Sequence, residues 1–263
     1  MNKVIAAIDS SAAARPVLGA AAAIAGLLQA ELVGLHVRED DDPAPRAQAR
    51  AAGVTLQTVA GPTVAGIVEA ARPDDVVAVV LGALGTPAGR RPAGRTALEV
   101  MTALEKPLVI VPPSAAHPES LRRILVPLDG TAATAGALRE TIELARGREV
   151  EVVVLHVHDE ASLPPFEDQL QHETESWARE FRARHCPWPP EELRLELRVG
   201  SPPDYVVRVA ADADADLIAL GWSQDLSPGR AAVVRETLAR SAVPVLLVPV
   251  GPGRGRLDVN LRA

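Results

Sequence analysis

The sequence contains one long motif twice, and the second copy begins 120 positions after the first. The segment IAAIDSSAAARPVLGAAAAIA, which includes Asp9, corresponds to ILVPLDGTAATAGALRETIELA, which includes Asp129. ELVGLHV, ending at Val37, corresponds to EVVVLHV, ending at Val157. An internal repeat of this length indicates two copies of one fold. Each copy is long enough to bury its own core, so we expect two domains.

Composition excludes several classes of protein. The chain has 263 residues, of which 48% are hydrophobic, which suffices for two ordinary cores. A net charge of -7 and an aromatic content of 2% leave no basic, aromatic surface for nucleic acid. No apolar stretch has the length of a membrane span, and the start does not read as a secretion signal. The lone Cys186 excludes an internal disulfide, and we expect a cytoplasmic protein.

Both copies alternate short, β-branched apolar runs with helical segments, which is typical of βαβ units in a parallel sheet. Each copy is predicted to form an α/β domain with a five-stranded parallel sheet. The predicted strands are 4–8, 32–37, 54–59, 76–81 and 108–111 in the first copy, and 124–128, 150–157, 193–199, 217–220 and 245–248 in the second. The predicted helices are 12–30, 63–71 and 96–104, with 132–146, 203–211 and 232–241 as their counterparts.

The copies differ between their second and third strands, where the offset grows from 120 to about 140. In the second copy, 164–186 is predicted to be an amphipathic helix with Phe166, Leu170, Trp177 and Phe181 on one face. The equivalent segment from Arg38 is too short and too rich in proline and charge to supply that helix. Either the loop is shortened by deletion, or a partner chain covers this flank of the sheet.

These patterns set the expected domain limits. The first domain covers 1–113, with its second helix shortened or missing, and the complete second domain covers 121–250. A linker rich in proline and serine joins them, and 251–263 is expected to be a flexible tail.

A phosphate site is predicted at the carboxyl ends of the first copy's strands, where open parallel sheets bind ligands. Asp9 follows the first strand, and His36 and Val37 end the second. The loop after the fourth strand carries Gly82 and Gly85 and then Gly94, Arg95 and Thr96 at a helix start. Glycines and free helix N–H groups can surround an anion, and Arg90, Arg91 and Arg95 add positive charge. Two simpler interpretations remain: the glycines form an ordinary turn, and Asp9 caps the following helix.

The second copy lacks most of this pattern. Gly221 remains, but Gln224 replaces the second glycine, and Ala231 and Ala232 stand where Gly94 and Arg95 would align. A backbone that requires a positive φ would be strained by these changes, so we expect little or no nucleotide there. A metal site is not expected, because His156 and His158 share a face without a third ligand at recognisable spacing. We expect no catalytic residue either, and Cys186 lies in no activating pattern.

Taken together, these residues resemble a tandem universal stress protein, with two such domains covering nearly the whole chain. The resemblance depends on the strand ends at Asp9 and Asp129, LHV at the second strands, DADLIALG from Asp214 and VPVLLVP from Val243. It implies an adenine nucleotide alpha-hydrolase-like α/β fold with strand order 3-2-1-4-5 in each domain. Members of the family often pair through the fifth strand, which this chain could do within itself as a pseudo-dimer. A homodimer and an unknown protein partner are left open.

The resemblance also implies a ligand. ATP-binding members carry Gly-x-x-Gly, nine residues, and then Gly followed by Ser or Thr. Gly82, Gly85 and Gly94 match in order, but the gap is one residue short and Arg95 precedes the hydroxyl residue Thr96. By resemblance, Asp9 contacts the adenosine, Val37 lies near the adenine, and the glycines with Arg95 and Thr96 hold the ribose and phosphates. Mg²⁺ would accompany ATP. In the second domain, Asp129, Val157 and Gly221 match.

Three functions follow in order of preference. The first is a stress-response regulator that binds ATP or a related adenine nucleotide in its N-terminal domain. The second is a nucleotide-free dimerisation or protein-interaction module. The third is an enzyme that uses the nucleotide, which we rank last because no base, nucleophile and metal ligands gather in one place. At most we expect slow ATP hydrolysis.

Overall fold

All ten strands form one continuous sheet in the order β3-β2-β1-β4-β5-β10-β9-β6-β7-β8. The computed structural model describes residues 1–38, 42–83, 93–113, 115, 120–158, 170–189, 193–227 and 231–251. Within each half the neighbouring strands are parallel, and the order of both halves is 3-2-1-4-5 in their own numbering. The predicted fold class and strand order are therefore confirmed.

Strands and helices alternate through both halves. The strands are β1 (Lys3–Ala7), β2 (Glu31–Arg38), β3 (Thr55–Ala60), β4 (Val76–Gly82), β5 (Leu108–Val111), β6 (Arg123–Pro127), β7 (Glu151–His158), β8 (Arg194–Val199), β9 (Leu217–Trp222) and β10 (Val245–Pro249). The helices are α1 (Ala14–Leu28), α2 (Ala44–Ala51), α3 (Thr63–Ala70), α4 (Arg95–Ala103), α5 (Ala132–Arg146), α6 (Leu170–His185), α7 (Pro202–Asp212) and α8 (Ala232–Arg240). Most predicted limits lie within one or two residues of these.

The two halves join through their fifth strands, which run antiparallel. Val109 of β5 lies opposite Leu246 of β10, and these residues are equivalent when the copies are aligned on Pro107 and Pro244. An approximate twofold axis therefore passes through this pair, perpendicular to the sheet. The intramolecular pairing that the resemblance implied is present in the chain.

Both faces of the sheet are covered, which explains why the central strands are apolar throughout. On one face, α1 and α5 pack on buried residues such as Val4, Val80 and Ile124. On the other, α3, α4, α7 and α8 pack on residues such as Ile5, Val79 and Leu220. None of the helices in the described part of the chain is long and apolar enough to cross a membrane.

The second helices differ between the halves. In the first half, α2 has eight residues, and in the second, α6 has 16. Phe181 of α6 is 7% exposed and Trp177 is half-buried, so the predicted apolar face includes both. Phe166, assigned to the same helix, lies outside the described residues. The segment after β2 does form a helix despite its proline residues, because Pro43 and Pro45 stand at its start, where the missing N–H groups cost nothing.

Candidate functional site

The carboxyl ends of β1, β2 and β4 meet at one edge of the N-terminal half, and the predicted site residues follow them. Ala7 of β1 pairs with Leu35 on one side and with Leu81 on the other. Asp9, Val37 and Gly82 therefore lie at the point where the strand order reverses, which is the expected ligand position in such sheets. His36 lies there too, and its Nδ1 is 3.1 Å from the Ile8 carbonyl oxygen, which gives this histidine a structural role.

Asp9 is exposed and forms a tight turn with Ser11. Its Oδ1 accepts hydrogen bonds from the Ser11 backbone N–H at 3.0 Å and from the Ser11 hydroxyl at 2.5 Å. The Ser11 hydroxyl oxygen in turn accepts from the Ala13 N–H at 3.2 Å, just before α1. Asp9 thus orders the helix start through Ser11 instead of capping it directly. Within the described residues, the other carboxylate oxygen of Asp9 has no hydrogen-bond partner.

The glycine-bearing loop leaves β4 and returns to the same point. The Ala83 N–H donates to the Val111 carbonyl oxygen at 2.8 Å, and the Gly94 N–H donates to the Ala83 carbonyl oxygen at 2.6 Å. The ends of the loop are therefore held together, and α4 begins beside the end of β4. Gly85, Arg90 and Arg91 of the predicted cradle lie outside the described residues.

The start of α4, close to the end of β4, carries first-turn backbone N–H groups that the helix itself does not bond. Gly94 precedes the helix with a φ of -64°, which any residue can adopt, so the backbone conformation does not require a glycine here. Thr96 is exposed in the first turn. The Arg95 guanidinium is also exposed and lies along the helix, 2.8 Å from Glu99 Oε1.

Val37 lines the inner wall of this edge and is 8% exposed. It packs against Gly66 of α3, where an added Cβ would come within 3.0 Å of its side chain. The close approach of α3 to β2 beside Val37 therefore depends on this glycine.

The equivalent edge of the C-terminal half is closed by side chains. Thr131 donates its backbone N–H to Asp129 Oδ1 at 2.9 Å, as Ser11 does to Asp9. Thr134 then donates its hydroxyl to Asp129 Oδ2 at 3.0 Å, so both carboxylate oxygens are used. The residue at this position in the first half is Ala14, which has no hydroxyl. A Cβ on Gly221 would lie 3.1 Å from Thr134 Cγ2, which shows how little space remains.

Three further residues fill the second edge. Trp222, which stands in the place of Ala83, is 4% exposed. Gln224 replaces the second glycine and donates its amide to the Leu104 carbonyl oxygen at 2.6 Å, across the junction between the halves. Gln224 and Ala231 have φ angles of 59° and 51°. The second half therefore adopts a left-handed conformation at two non-glycine residues, each at a cost of about 1–2 kcal/mol, whereas Gly94, the counterpart of Ala231, does not.

The sequence analysis missed Thr134 and Trp222, the residues that best separate the two edges. Both could have been found by aligning the repeats position by position, because Ala14 and Ala83 are their counterparts. Their importance was hidden because a threonine in a helix and a tryptophan after a strand are ordinary core residues. Only the hydrogen bond to Asp129 and the burial of Trp222 show that they occupy the site.

His156 and His158 belong to an aromatic cluster at the end of β7. The ring of His156 stacks on Phe181 with centroids 4.3 Å apart, and the ring of His158 lies 4.9 Å from that of Trp177. The Nε2 atom of His158 is buried without a hydrogen-bond partner. Across the described residues, no group of three or more His, Cys, Asp or Glu side chains could hold a metal ion.

The cluster predicts a pH dependence of stability. Burial lowers the pKa of His158, and the neighbouring His156 lowers it further. A histidine whose pKa is lower in the folded state contributes full stability above its unfolded pKa, and that stability is lost as the pH falls through this value. We expect His158→Phe to reduce the drop in Tm between about pH 7.5 and pH 5 while keeping the ring contacts. An unchanged drop, measured by circular dichroism, would contradict this assignment.

Comparisons with known proteins agree with the duplicated architecture. Residues 120–249 match the model of the universal stress protein family. The fold is similar to that of a universal stress protein from Archaeoglobus fulgidus DSM 4304, with 17% identity, a TM-score of 0.62 and coverage of 95% of this chain and 97% of that one. It is also similar to a functionally unknown protein from Pseudomonas aeruginosa PAO1, with 16% identity, a TM-score of 0.68 and coverage of 95% and 93%. A search of curated proteins finds no significant match.

Proposed function

We propose that this chain, whose residues 120–249 match the universal stress protein family, is a stress-response regulator that binds ATP or a related adenine nucleotide in its N-terminal half. The ligand would occupy the crevice beyond β1, β2 and β4. The observation that carries the proposal is the difference between the two aspartates: both carboxylate oxygens of Asp129 accept hydrogen bonds, whereas only Oδ1 of Asp9 does so among the residues that the structure describes.

Each predicted residue has a role that its position supports. Asp9 would accept hydrogen bonds from the hydroxyl groups of the nucleoside, and Val37 would supply an apolar surface for the adenine. Gly82 and Gly94, at the two ends of the loop, allow the close approach of a phosphate to the backbone. Thr96 and the N–H groups of the first turn of α4 would bind the phosphate oxygens. Gly85 is proposed for the same role, on sequence grounds alone.

Arg95 is proposed to change partner when the nucleotide binds. Its guanidinium forms an exposed ion pair with Glu99, four residues further along α4. Such surface pairs contribute about 0.3–0.5 kcal/mol, so a phosphate at the helix start would compete easily for the charge. Mg²⁺ would enter with the phosphates.

The proposal predicts one nucleotide site per chain. Purified protein should be stripped of bound nucleotide and titrated with ATP by calorimetry, and we expect one site per chain and a rise in Tm. Mass spectrometry of small molecules released from freshly purified, denatured protein would identify the natural ligand. If millimolar ATP gives neither heat nor a thermal shift, the nucleotide-binding proposal fails. Two equivalent sites would contradict the assigned asymmetry.

A second candidate is a nucleotide-free interaction module. The observations that favour it are the gap before Gly94, which is one residue short, and the existing partner of Arg95. The same titration distinguishes the two functions, because the module would bind no nucleotide. Slow hydrolysis could accompany binding, but a rate that survives both Asp9→Ala and Gly94→Val would come from a contaminant.

A further inference from the structure

The two edge strands of the sheet differ in their protection against pairing. At one edge, β8 carries Arg194, Glu196 and Arg198, and Glu196 pairs with the two arginines at 2.6 and 2.7 Å. Charged side chains on an edge strand disfavour the addition of another strand. At the other edge, β3 has the sequence TLQTVA, which contains neither charge nor proline. The edge strand β8 therefore carries charges that disfavour pairing with another strand, and the edge strand β3 carries none.

The open edge is accessible. Thr55, Gln57 and Thr58 are exposed, and β3 pairs with β2 along its whole length on its inner side. Among the described residues, no other backbone group bonds to the outer side of β3. A row of free N–H and C=O groups on an uncharged strand is a template for another strand.

We propose that β3 pairs antiparallel with β3 of a second copy of this chain, around a twofold axis at Gln57. Residues opposite each other in an antiparallel pair project to the same face, so a symmetric pair must be centred on a residue. With Gln57 opposite itself, Leu56 meets Thr58 and Thr55 meets Val59 of the second copy. None of these pairs opposes like charges.

The junction between the halves provides a precedent for this geometry. There β5 and β10 pair antiparallel around the equivalent residues Val109 and Leu246. The same kind of symmetric antiparallel contact at β3 would extend the ten-stranded sheet into a continuous sheet of two chains. A second copy of the chain could therefore pair with β3 in the same antiparallel geometry as β5 pairs with β10.

The position of α2 adds charge complementarity. The helix ends beside the start of β3, where the Val54 N–H donates to the Ala49 carbonyl oxygen at 2.9 Å. Its eight residues span about 12 Å, or about four residues of strand, so its midpoint lies near the level of Gln57. In the proposed dimer the two α2 helices are antiparallel. The basic end of one α2, with exposed Arg50, then lies opposite the start of α2 in the second copy. Exposed Asp42 stands at that start and caps the helix by accepting from the Ala44 N–H at 2.9 Å.

An open cavity beside the strand would be covered by the same contact. Its volume is about 350 Å³, and it lies between α2 and β3, with Arg46, Arg50, Val54 and Leu56 among its lining residues. Apolar side chains that flank such an opening gain stability when another chain excludes water from them. The short α2 leaves this flank of the sheet open.

Sedimentation of the full chain tests the proposal. We expect a dimer of the 27.6 kDa chain at tens of micromolar. Gln57→Lys, which sets two lysines opposite each other at an exposed position, should weaken the dimer about tenfold, and so should Gln57→Glu. A mixture of the two variants should restore the dimer as a 1:1 pair, because residue 57 meets residue 57. A monomer at these concentrations, or a dimer that neither variant weakens, would overturn the proposal.

Crosslinking tests the register directly. Gln57→Cys should form a disulfide-linked dimer on mild oxidation, because opposed residues of antiparallel strands have suitable Cα separations. Unaltered protein is the control, since burial raises the pKa of the Cys186 thiol to about 11 and leaves it unreactive near neutral pH. Glu196→Cys, at the matching position of β8, should remain monomeric under the same oxidation. Equal crosslinking at both edges would show that the contact is not specific to β3.

Discussion

Replacing Asp9 by alanine is expected to weaken ATP binding about 10- to 150-fold, the loss that follows removal of a charged hydrogen-bond acceptor worth about 1.5–3 kcal/mol. The substituted side chain is exposed and bonds only locally to Ser11 among the described residues, so the fold should survive. Calorimetric titration gives the affinity, and circular dichroism verifies folding.

Gly94→Val should have a comparable effect for a different reason. The φ of -64° at this position suits valine, so the change does not strain the backbone. A branched side chain beside the first turn of α4 would instead keep a phosphate away from its free N–H groups. Asp129→Ala and Ala231→Val are the matched controls in the second half, and they should alter affinity less than about twofold. Equal losses of ATP affinity from the substitutions in the two halves would show that the nucleotide does not bind specifically to the N-terminal half.

Asp216→Ala is expected to destabilise the protein by about 2–3 kcal/mol. The carboxylate is 9% exposed and accepts hydrogen bonds from the backbone N–H groups of Arg122 and Arg123 at 2.7 and 3.0 Å. It therefore fixes the start of β6 beside β9. Removing it leaves two backbone donors without their acceptor, each at a cost of about 1–3 kcal/mol before water replaces it. Denaturant unfolding followed by circular dichroism measures the change.

Asp75→Ala provides the comparison, because Asp75 precedes β4 as Asp216 precedes β9. Its side chain is 39% exposed and pairs with the Lys3 ammonium at 2.7 Å. Solvent screens an exposed ion pair of this kind, so this substitution should cost much less than the one at Asp216. If both cost the same, the backbone hydrogen bonds of Asp216 would not be the source of its stabilisation.

Much of the fold could be predicted because its signals are local and occur twice. Runs such as VVAVVLG before Ala83 are buried on both faces, and only a parallel strand between helices explains an unbroken apolar run. The repeat confirmed each strand with a second example. The short α2 was harder to predict, because proline argues against a helix except in its first turn.

The candidate site could be predicted less completely. Asp9, Val37 and Gly82 lie at the carboxyl ends of strands that topology rules bring to one edge, so their proximity was foreseeable. The hydrogen bond from Thr134 to Asp129 was not, because it depends on where the first turn of α5 lies relative to the end of β6. Sequence spacing places two residues on neighbouring elements but does not fix which atoms face each other.

The sequence by itself determined that this chain is a duplicated α/β protein and which strand ends carry polar groups, because periodicity and repetition are properties of local segments. Only the tertiary structure decided that Thr134 bonds the second carboxylate oxygen of Asp129, whereas the matching oxygen of Asp9 has no partner among the described residues. The pairing of β5 with β10 and the outer positions of β3 and β8 agree with what the resemblance implied, and the structure adds their register. These features depend on contacts between residues far apart in the chain, whose geometry is set by packing and not by the pattern of any one segment.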